Sequence, residues 1–278
     1  MTHRVLVVAG SDSGGGAGIQ ADVKTVTVLG GYAATAITAL TAQNTLGVLG
    51  VVSVDPEFVV EQMRAVLDDI GADAIKTGML GSARTVERVA QTCRAYAASV
   101  PLIVDPVLYA KGGAPLFEAD ARDALVRELL PIAALVTPNA PEAAELTGVP
   151  VEREADLERA ADRLLLLGAA AVLVKGGHLP GETVVDLLRT ADGGSFRFTS
   201  PRILTRSTHG TGCTLASAIA TGVAEGLTLK DAVERARDYV FEAIRTAPGL
   251  GHGHGPLHHG HPLDVIRARE ERGHETIH

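Results

Sequence analysis

Apolar residues fall along this chain in short unbroken runs. Val5 to Ala9 is one, stopped by Gly10, and others cover Ala33 to Leu40, Ala74 to Lys76, Leu102 to Val104, Ala133 to Val136 and Ala171 to Val174. Runs of this length without polar alternation predict strands buried on both faces. Between most of them the apolar positions take helical spacing, over Gly18 to Leu29, Pro56 to Ile70, Ala83 to Ala98, Ala119 to Leu130 and Leu157 to Leu167. Strand and helix in alternation predict an α/β fold with a central, mostly parallel sheet between two helical layers. From Thr183 the pattern changes: TVVDLLRT, ADGG and SFRFTSP read as a hairpin around a glycine turn, and two helices follow, Thr211 to Glu225 and Leu229 to Ala247. No linker or internal repeat interrupts the pattern, so a single domain over 1–262 is expected, with a loosely ordered charged tail over 263–278.

Composition narrows the core. The 278 residues are 46% hydrophobic but only 3% aromatic, with no Trp, so Ala, Val, Leu and Ile must do the packing. A net charge of -8 gives no basic face for nucleic acid. Cys93 and Cys213 are far apart and form no CxxC, which fits a reducing compartment without a disulfide framework, and Cys93 on its predicted helix reads as packing. The opening MTHRVLVVAG is too short for a signal segment, and no apolar run reaches membrane-spanning length. A soluble cytoplasmic protein with no membrane partner is expected.

The candidate chemistry sits where the strand runs stop: Asp12, Gln43, Asn44, Lys76, Thr77, Asp105, Asn139, Glu142, Lys175 and His178. In an open parallel sheet these carboxyl ends line one crevice, where ligands bind. Two phosphate motifs fail. SDSGGGAGIQAD has the glycine spacing of a dinucleotide fingerprint, but no acidic residue occurs between Thr35 and Val54; Gly176 and Gly181 have P-loop spacing, but Glu182 stands where Lys is required. HGTGC before the small-residue helix TLASAIATGVAEG survives two readings, an ordinary glycine-rich helix start or an anion cradle of backbone N–H groups.

Seven blocks then carry a resemblance. AGSDSGGGAGIQADVKT, ITALTAQNT, KTGML, DPVLYAKGG, TPNAPEA, VKGGH and THGTGC are similar, in order and spacing, to the hydroxymethylpyrimidine and phosphomethylpyrimidine kinases of thiamin biosynthesis, within the ribokinase-like superfamily; the match runs from about Val5 to His261. The first loop departs from it, reading SDSGGGAG where the family commonly has a Pro and a Ser before GGAG. The resemblance implies a three-layer α/β/α sandwich and ATP-dependent phosphorylation of an aminopyrimidine alcohol, then of its monophosphate.

It also implies roles. Gly210, Thr211, Gly212 and Cys213 cradle the transferring phosphoryl group, Lys175 reaches the nucleotide phosphates, and Asn139 and Thr211 join the nucleotide set. Asp105 and Glu142 are hard oxygen ligands for Mg2+, or merely surface and helix-capping groups. Gln43 reads the ring edge with one amide, Met79 and Val107 sandwich the ring, and Gly10 and Asp22 complete the acceptor end, although Asp22 and Asp12 suit capping of the first helix equally. Cys213, where superfamily relatives commonly place an aspartate, is expected to be partly thiolate at a helix N-terminus and to take the alcohol proton. The run GHGHGPLHHGH, with His252, His254, His258, His259 and His261, is expected to be a surface tail that binds metal only adventitiously. A homodimer is expected by superfamily analogy. The competing functions are a pyridoxal kinase and a non-catalytic pyrimidine sensor; a sensor has no need of phosphoryl-transfer groups.

Overall fold

In the computed structural model, residues 2–108 and 120–264 are described. One sheet of nine strands organises them: β1 (Arg4–Asp12), β2 (Tyr32–Asn44), β3 (Gly47–Ser53), β4 (Ala74–Thr77), β5 (Leu102–Val104), β6 (Leu135–Val136), β7 (Ala171–Val174), β8 (Thr183–Thr190) and β9 (Ser195–Pro201). Their spatial order is β3-β2-β1-β4-β5-β6-β7-β8-β9. The six from β2 to β7 in that order pair in parallel, while β3 at one edge and β8 and β9 at the other are antiparallel. The chain steps one way from β1 to β2 and the other way to β4, so a switch point opens at their carboxyl ends.

The unbroken apolar runs are explained by two cores. Leu6 and Val8 of β1 face one cluster, and Val5, Val7 and Ala9 face the other. The first lies under α2 (Pro56–Asp69), α3 (Ala83–Tyr96), α4 (Ala121–Ala124), α5 (Ala140–Thr147) and α6 (Asp156–Leu166). The second lies under α1 (Gly18–Val28), α7 (Thr211–Ala224) and α8 (Leu229–Arg245). This is the expected three-layer sandwich. Every residue of α7 from Thr214 to Gly222 is buried, and its Ala, Ser, Thr and Gly side chains let α1 and α8 approach closely.

Four local expectations change. Strand β2 runs on to Asn44 and folds back as β3, an edge strand whose Leu49 is 79% exposed. The helix expected over Ala119 to Leu130 is a short α4 continued by a π-turn at Leu125–Leu129 and a 3-10 turn at Leu130–Ile132, where Pro131 lacks the N–H to continue an α ladder; Ala119 and the YAKGG of DPVLYAKGG lie outside the described residues. The short α5 was read only as a helix start at Glu142. Finally, the histidine-rich run packs against the sheet's carboxyl edge. His254 N donates to Thr45 O at 2.8 Å, His209 N donates to Gly255 O at 3.0 Å, and His259 is 4% exposed with Nε2 3.0 Å from Thr214 Oγ1. It is a strap, and a helical turn follows at 261–264; the rest of the expected charged tail lies outside the described residues. No group of three or more His, Cys, Asp or Glu suited to a metal occurs among the described residues.

Candidate active site

The carboxyl ends of β1, β4, β5, β6 and β7 open into one cavity of about 880 Å³. Gly10, Gln43, Met79, Val107, Asp105, Asn139, Glu142, Lys175 and the run from Gly210 to Cys213 all line it. Chain positions more than a hundred residues apart meet here because parallel strands deliver their ends to the same edge.

Helix α7 starts at the cavity wall. Its N-cap Gly210 has φ 83°, a left-handed conformation, and a side-chain carbon there would collide with the Gly16 carbonyl, so only glycine fits. No side chain caps α7 and its first turn holds no acidic residue, which leaves the first N–H groups at the positive end of the helix for a ligand. A carbon placed on Gly212 would lie 3.3 Å from Lys175 Nζ and 3.6 Å from Asp105 Oδ2, so ammonium and carboxylate both face this helix start.

Lys175 Nζ donates to Asp105 Oδ1 at 3.1 Å, and Thr137 Oγ1 is 3.2 Å from the same oxygen. Burial alone would lower the lysine's pKa; the nearby Asp105 and Glu142 carboxylates outweigh it and raise it, so the ammonium persists. Asn139 and Glu142 form a capping box at the start of α5: Glu142 N donates to Asn139 Oδ1 at 2.9 Å and Asn139 N donates to Glu142 Oε2 at 2.8 Å. Glu142 therefore does the capping that its position near a helix start allowed, and it also borders the cavity. Burial, with Asp105 adding repulsion against the pull of Lys175, pushes its carboxyl up to about 7.

Two expectations are overturned. Asp22 does not line the cavity. It is fully buried beneath it, where Lys76 Nζ donates to both of its oxygens at 2.9 Å and Ser217 Oγ donates to Oδ1 at 2.6 Å. Cys213 is not a lowered thiol: burial pushes it up to about 12, with Asp22 and Asp105 adding to the rise against the pull of Lys76. Desolvation outweighs the Lys76 ammonium and the Gly18 backbone N–H, which favour a thiolate.

His209 was missed, although it stands inside THGTGC. Its Nε2 lies 2.8 Å from Asp12 Oδ2, and the Asp12 carboxylate also accepts from the N–H groups of Gly14, Gly16 and Ala17 at 2.8, 3.0 and 2.8 Å. These hydrogen bonds outweigh burial and hold Asp12 below the usual carboxylate range. Also missed was the far half of the cavity, lined by Asp186, Ser200, Arg202 and Arg237. Arg237 donates to Asp186 Oδ2 at 2.7 Å, and Arg202 donates to the carbonyls of Gly177, Leu179 and Gly181 at 2.7, 2.5 and 2.6 Å. Nothing short-range in the sequence announces either arginine, since both act through partners on other segments.

A mostly parallel sheet with an uncapped helix start and a charged lysine facing it defines a small-molecule kinase of the ribokinase-like class. The sequence profile of phosphomethylpyrimidine kinase matches residues 12–258, and the chain belongs to that family. It is 50% identical over 260 residues to the hydroxymethylpyrimidine/phosphomethylpyrimidine kinase of Streptomyces coelicolor, covering 93% of this chain and 95% of that one. It is 53% identical over 266 residues to a thiamine biosynthesis bifunctional protein of Geobacter sulfurreducens, covering 95% of this chain but spanning only 54% of that protein. Among solved structures, phosphomethylpyrimidine kinase of Clostridium difficile is 39% identical with a TM-score of 0.77, covering 87% of this chain and 100% of that one. Staphylococcus aureus pyridoxal kinase in complex with AMP-PCP and pyridoxal is 33% identical with a TM-score of 0.86, covering 94% of each. Among the described residues no helix is long and apolar enough to cross a membrane.

Proposed function

We propose that the protein uses ATP to phosphorylate the hydroxymethyl group of 4-amino-5-hydroxymethyl-2-methylpyrimidine and then the resulting monophosphate, giving the pyrimidine diphosphate of thiamin biosynthesis. The observation that carries this reading is that the start of α7, Lys175 and Gln43 open into one cavity, which joins an anion cradle to an amide able to pair with a ring edge. Phosphoryl transfer requires positioning and charge neutralisation more than covalent help. The N–H groups from Gly210 to Cys213 receive the transferring group, and Lys175 neutralises charge on the nucleotide phosphates, with Asn139 and Thr211 beside them. Gln43, Gly10, Met79 and Val107 seat the acceptor ring. Cys213 contributes its backbone N–H, and its thiol takes part as a protonated, neutral group.

Magnesium fits the donor set. Two carboxylates border the cavity, Asp105 facing the helix start and Glu142 raised to about 7 chiefly by burial with Asp105 adding repulsion, and magnesium characteristically takes one or two carboxylates plus phosphate oxygens and water. Asp105 and Glu142 would hold it, and when bound it supplies charge neutralisation at the phosphates.

The catalytic unit in this reading is a single domain over 1–262, and the enzyme is a cytoplasmic homodimer. Free Cys93 and Cys213 support a reducing compartment, and exposed Leu46, Leu49 and Val52 around β3 support a contact between copies. Pyridoxal is the second acceptor to weigh, because the S. aureus neighbour with pyridoxal bound shares the fold so closely. ADP release is the test, with the aminopyrimidine alcohol, its monophosphate and pyridoxal as acceptors. Turnover on both pyrimidines, with kcat/KM above that for pyridoxal, supports the reading; faster turnover on pyridoxal reverses the order.

A further inference from the structure

Gln43 sits in a hydrogen-bond network whose protons can be counted. Its backbone is pinned by Ser13, whose Oγ accepts from Gln43 N and donates to Gln43 O, each at 2.8 Å. Its side-chain amide lies between two neighbours: Oε1 is placed 3.2 Å from Thr41 Oγ1, and Nε2 is placed 3.4 Å from His209 Nε2. Both neighbours have already committed their protons. Thr41 has one hydroxyl proton, and the Ser11 carbonyl, which can only accept, takes it at 2.8 Å. Toward Gln43, Thr41 is therefore an acceptor. His209 Nε2 faces the ionised Asp12 carboxylate at 2.8 Å, so that nitrogen carries a hydrogen. That hydrogen is aimed at Asp12, and Gln43 at 3.4 Å can share it only as the long arm of a three-centre bond, which an amide oxygen accepts and an amide N–H cannot.

Both constraints favour the same amide orientation. The amide nitrogen belongs against Thr41 and the amide oxygen against His209, since oxygen and nitrogen of an amide are told apart by their hydrogen-bond partners. In that orientation Nε2 keeps one N–H and Oε1 one lone pair for the cavity, a donor and an acceptor side by side in a fixed order. An aminopyrimidine presents the complement, a ring nitrogen acceptor beside an exocyclic amino donor. A fixed order lets the ring dock one way round, which decides which end meets the phosphoryl cradle.

We propose that His209 and Thr41 are positioning residues that set the orientation of the Gln43 amide, and through it the selectivity for an aminopyrimidine edge; this rests on the reading of Gln43 as the residue that binds the acceptor. His209 is well held for the task. Its ring packs on Gly16, where a side-chain carbon would crowd it, and its backbone is bridged to Pro256 of the strap. Neither residue needs to touch the reacting atoms.

Steady-state kinetics of the full chain with the aminopyrimidine alcohol, pyridoxal and ATP test this in Gln43→Ala, His209→Leu, Thr41→Val and the double variant Gln43→Ala with His209→Leu. His209→Leu and Thr41→Val are each expected to raise the aminopyrimidine KM about tenfold, the scale of one buried hydrogen bond misplaced. KM for ATP should stay within about twofold, and the preference over pyridoxal should shrink. In the Gln43→Ala background His209→Leu should add nothing, because its effect passes through the missing amide. Additive effects, or KM for ATP rising in step with the acceptor's, would overturn the proposal and leave Gln43 as the reading residue. An unchanged acceptor KM in Gln43→Ala would overturn both. Should His209→Leu lose its cooperative melt, Thr41→Val decides alone, since it removes one hydroxyl and leaves the α7 loop intact.

Discussion

Lys76 and Lys175 occupy matching places, each at the end of a central parallel strand and each beside an aspartate. They differ in what surrounds the pair. Lys76 and Asp22 are both 0% exposed, and Lys76 Nζ lies 2.9 Å from each carboxylate oxygen. Lys76 borders the cavity, but its charge is spent on Asp22, with Ser217 completing the shell. Lys175 is 12% exposed and makes one contact at 3.1 Å with Asp105, which itself borders the cavity. A closed pair locks α1 and α7 against the sheet, whereas an open one keeps charge to offer an anion. The lesson is that an apolar run ending in lysine has no fixed meaning until its partner on another element is known.

The largest expected effect breaks the closed pair. Lys76→Met strands a buried carboxylate and should cost about 3–5 kcal/mol of stability in urea unfolding, while adding Asp22→Leu should recover most of it. A loss below about 1 kcal/mol in the single variant would mean that the pair is not closed. Lys175→Ala should do the reverse. Its kcat should fall ~100- to 1,000-fold, the scale of one lost charge-stabilising donor, with stability within about 1 kcal/mol because cavity water can solvate Asp105. A stability loss matching that of Lys76→Met would put both lysines in one class.

A third buried group extends the comparison to the strap. Burial, with the positive charge of Lys24 adding to it, lowers His259 from 6.5 to about 4. Between those values the unfolded chain binds the proton and the folded one does not. Stability is therefore fully present above about pH 6.5 and declines toward pH 4, by at most about 3 kcal/mol. His259→Gln should flatten that slope in melts taken across the range, and an unchanged slope would place the titration elsewhere. The smallest effect concerns Cys213. Since its thiol is protonated at neutral pH, Cys213→Ala should slow transfer to the alcohol and to the monophosphate by the same factor, below the ~100-fold that marks a lost general base. A loss confined to the alcohol, seen in single-turnover assays, would restore a base at this position.

Much of the scaffold was legible because burial on two faces leaves a local mark. The runs at Val5 to Ala9 and Ala171 to Val174 could hardly be anything but central strands, and the polar residues that ended them were brought to one edge. Strand β3 left no such mark: GVLGVVS is apolar yet mostly exposed, so neither alternation nor a buried run distinguishes it. The strap misled for a different reason. Its glycines and histidines suggest a solvated tail, but its order comes from Thr45, 208 positions away from Gly253. Asp12 and His209 are likewise 197 positions apart. Cys213 shows the limit of a local rule, since the helix end that favours a thiolate was visible and the burial that opposes it was not.

Phosphorus NMR of the wild-type protein turning over the aminopyrimidine alcohol with magnesium and ATP tests the central claim most directly. A phosphomonoester resonance is expected to rise first and then fall as the two resonances of a pyrimidine diphosphate grow, with ADP formed at each step. Hydrolysis of ATP to free phosphate with no phosphorylated pyrimidine, or a monoester that accumulates without going further, would contradict it.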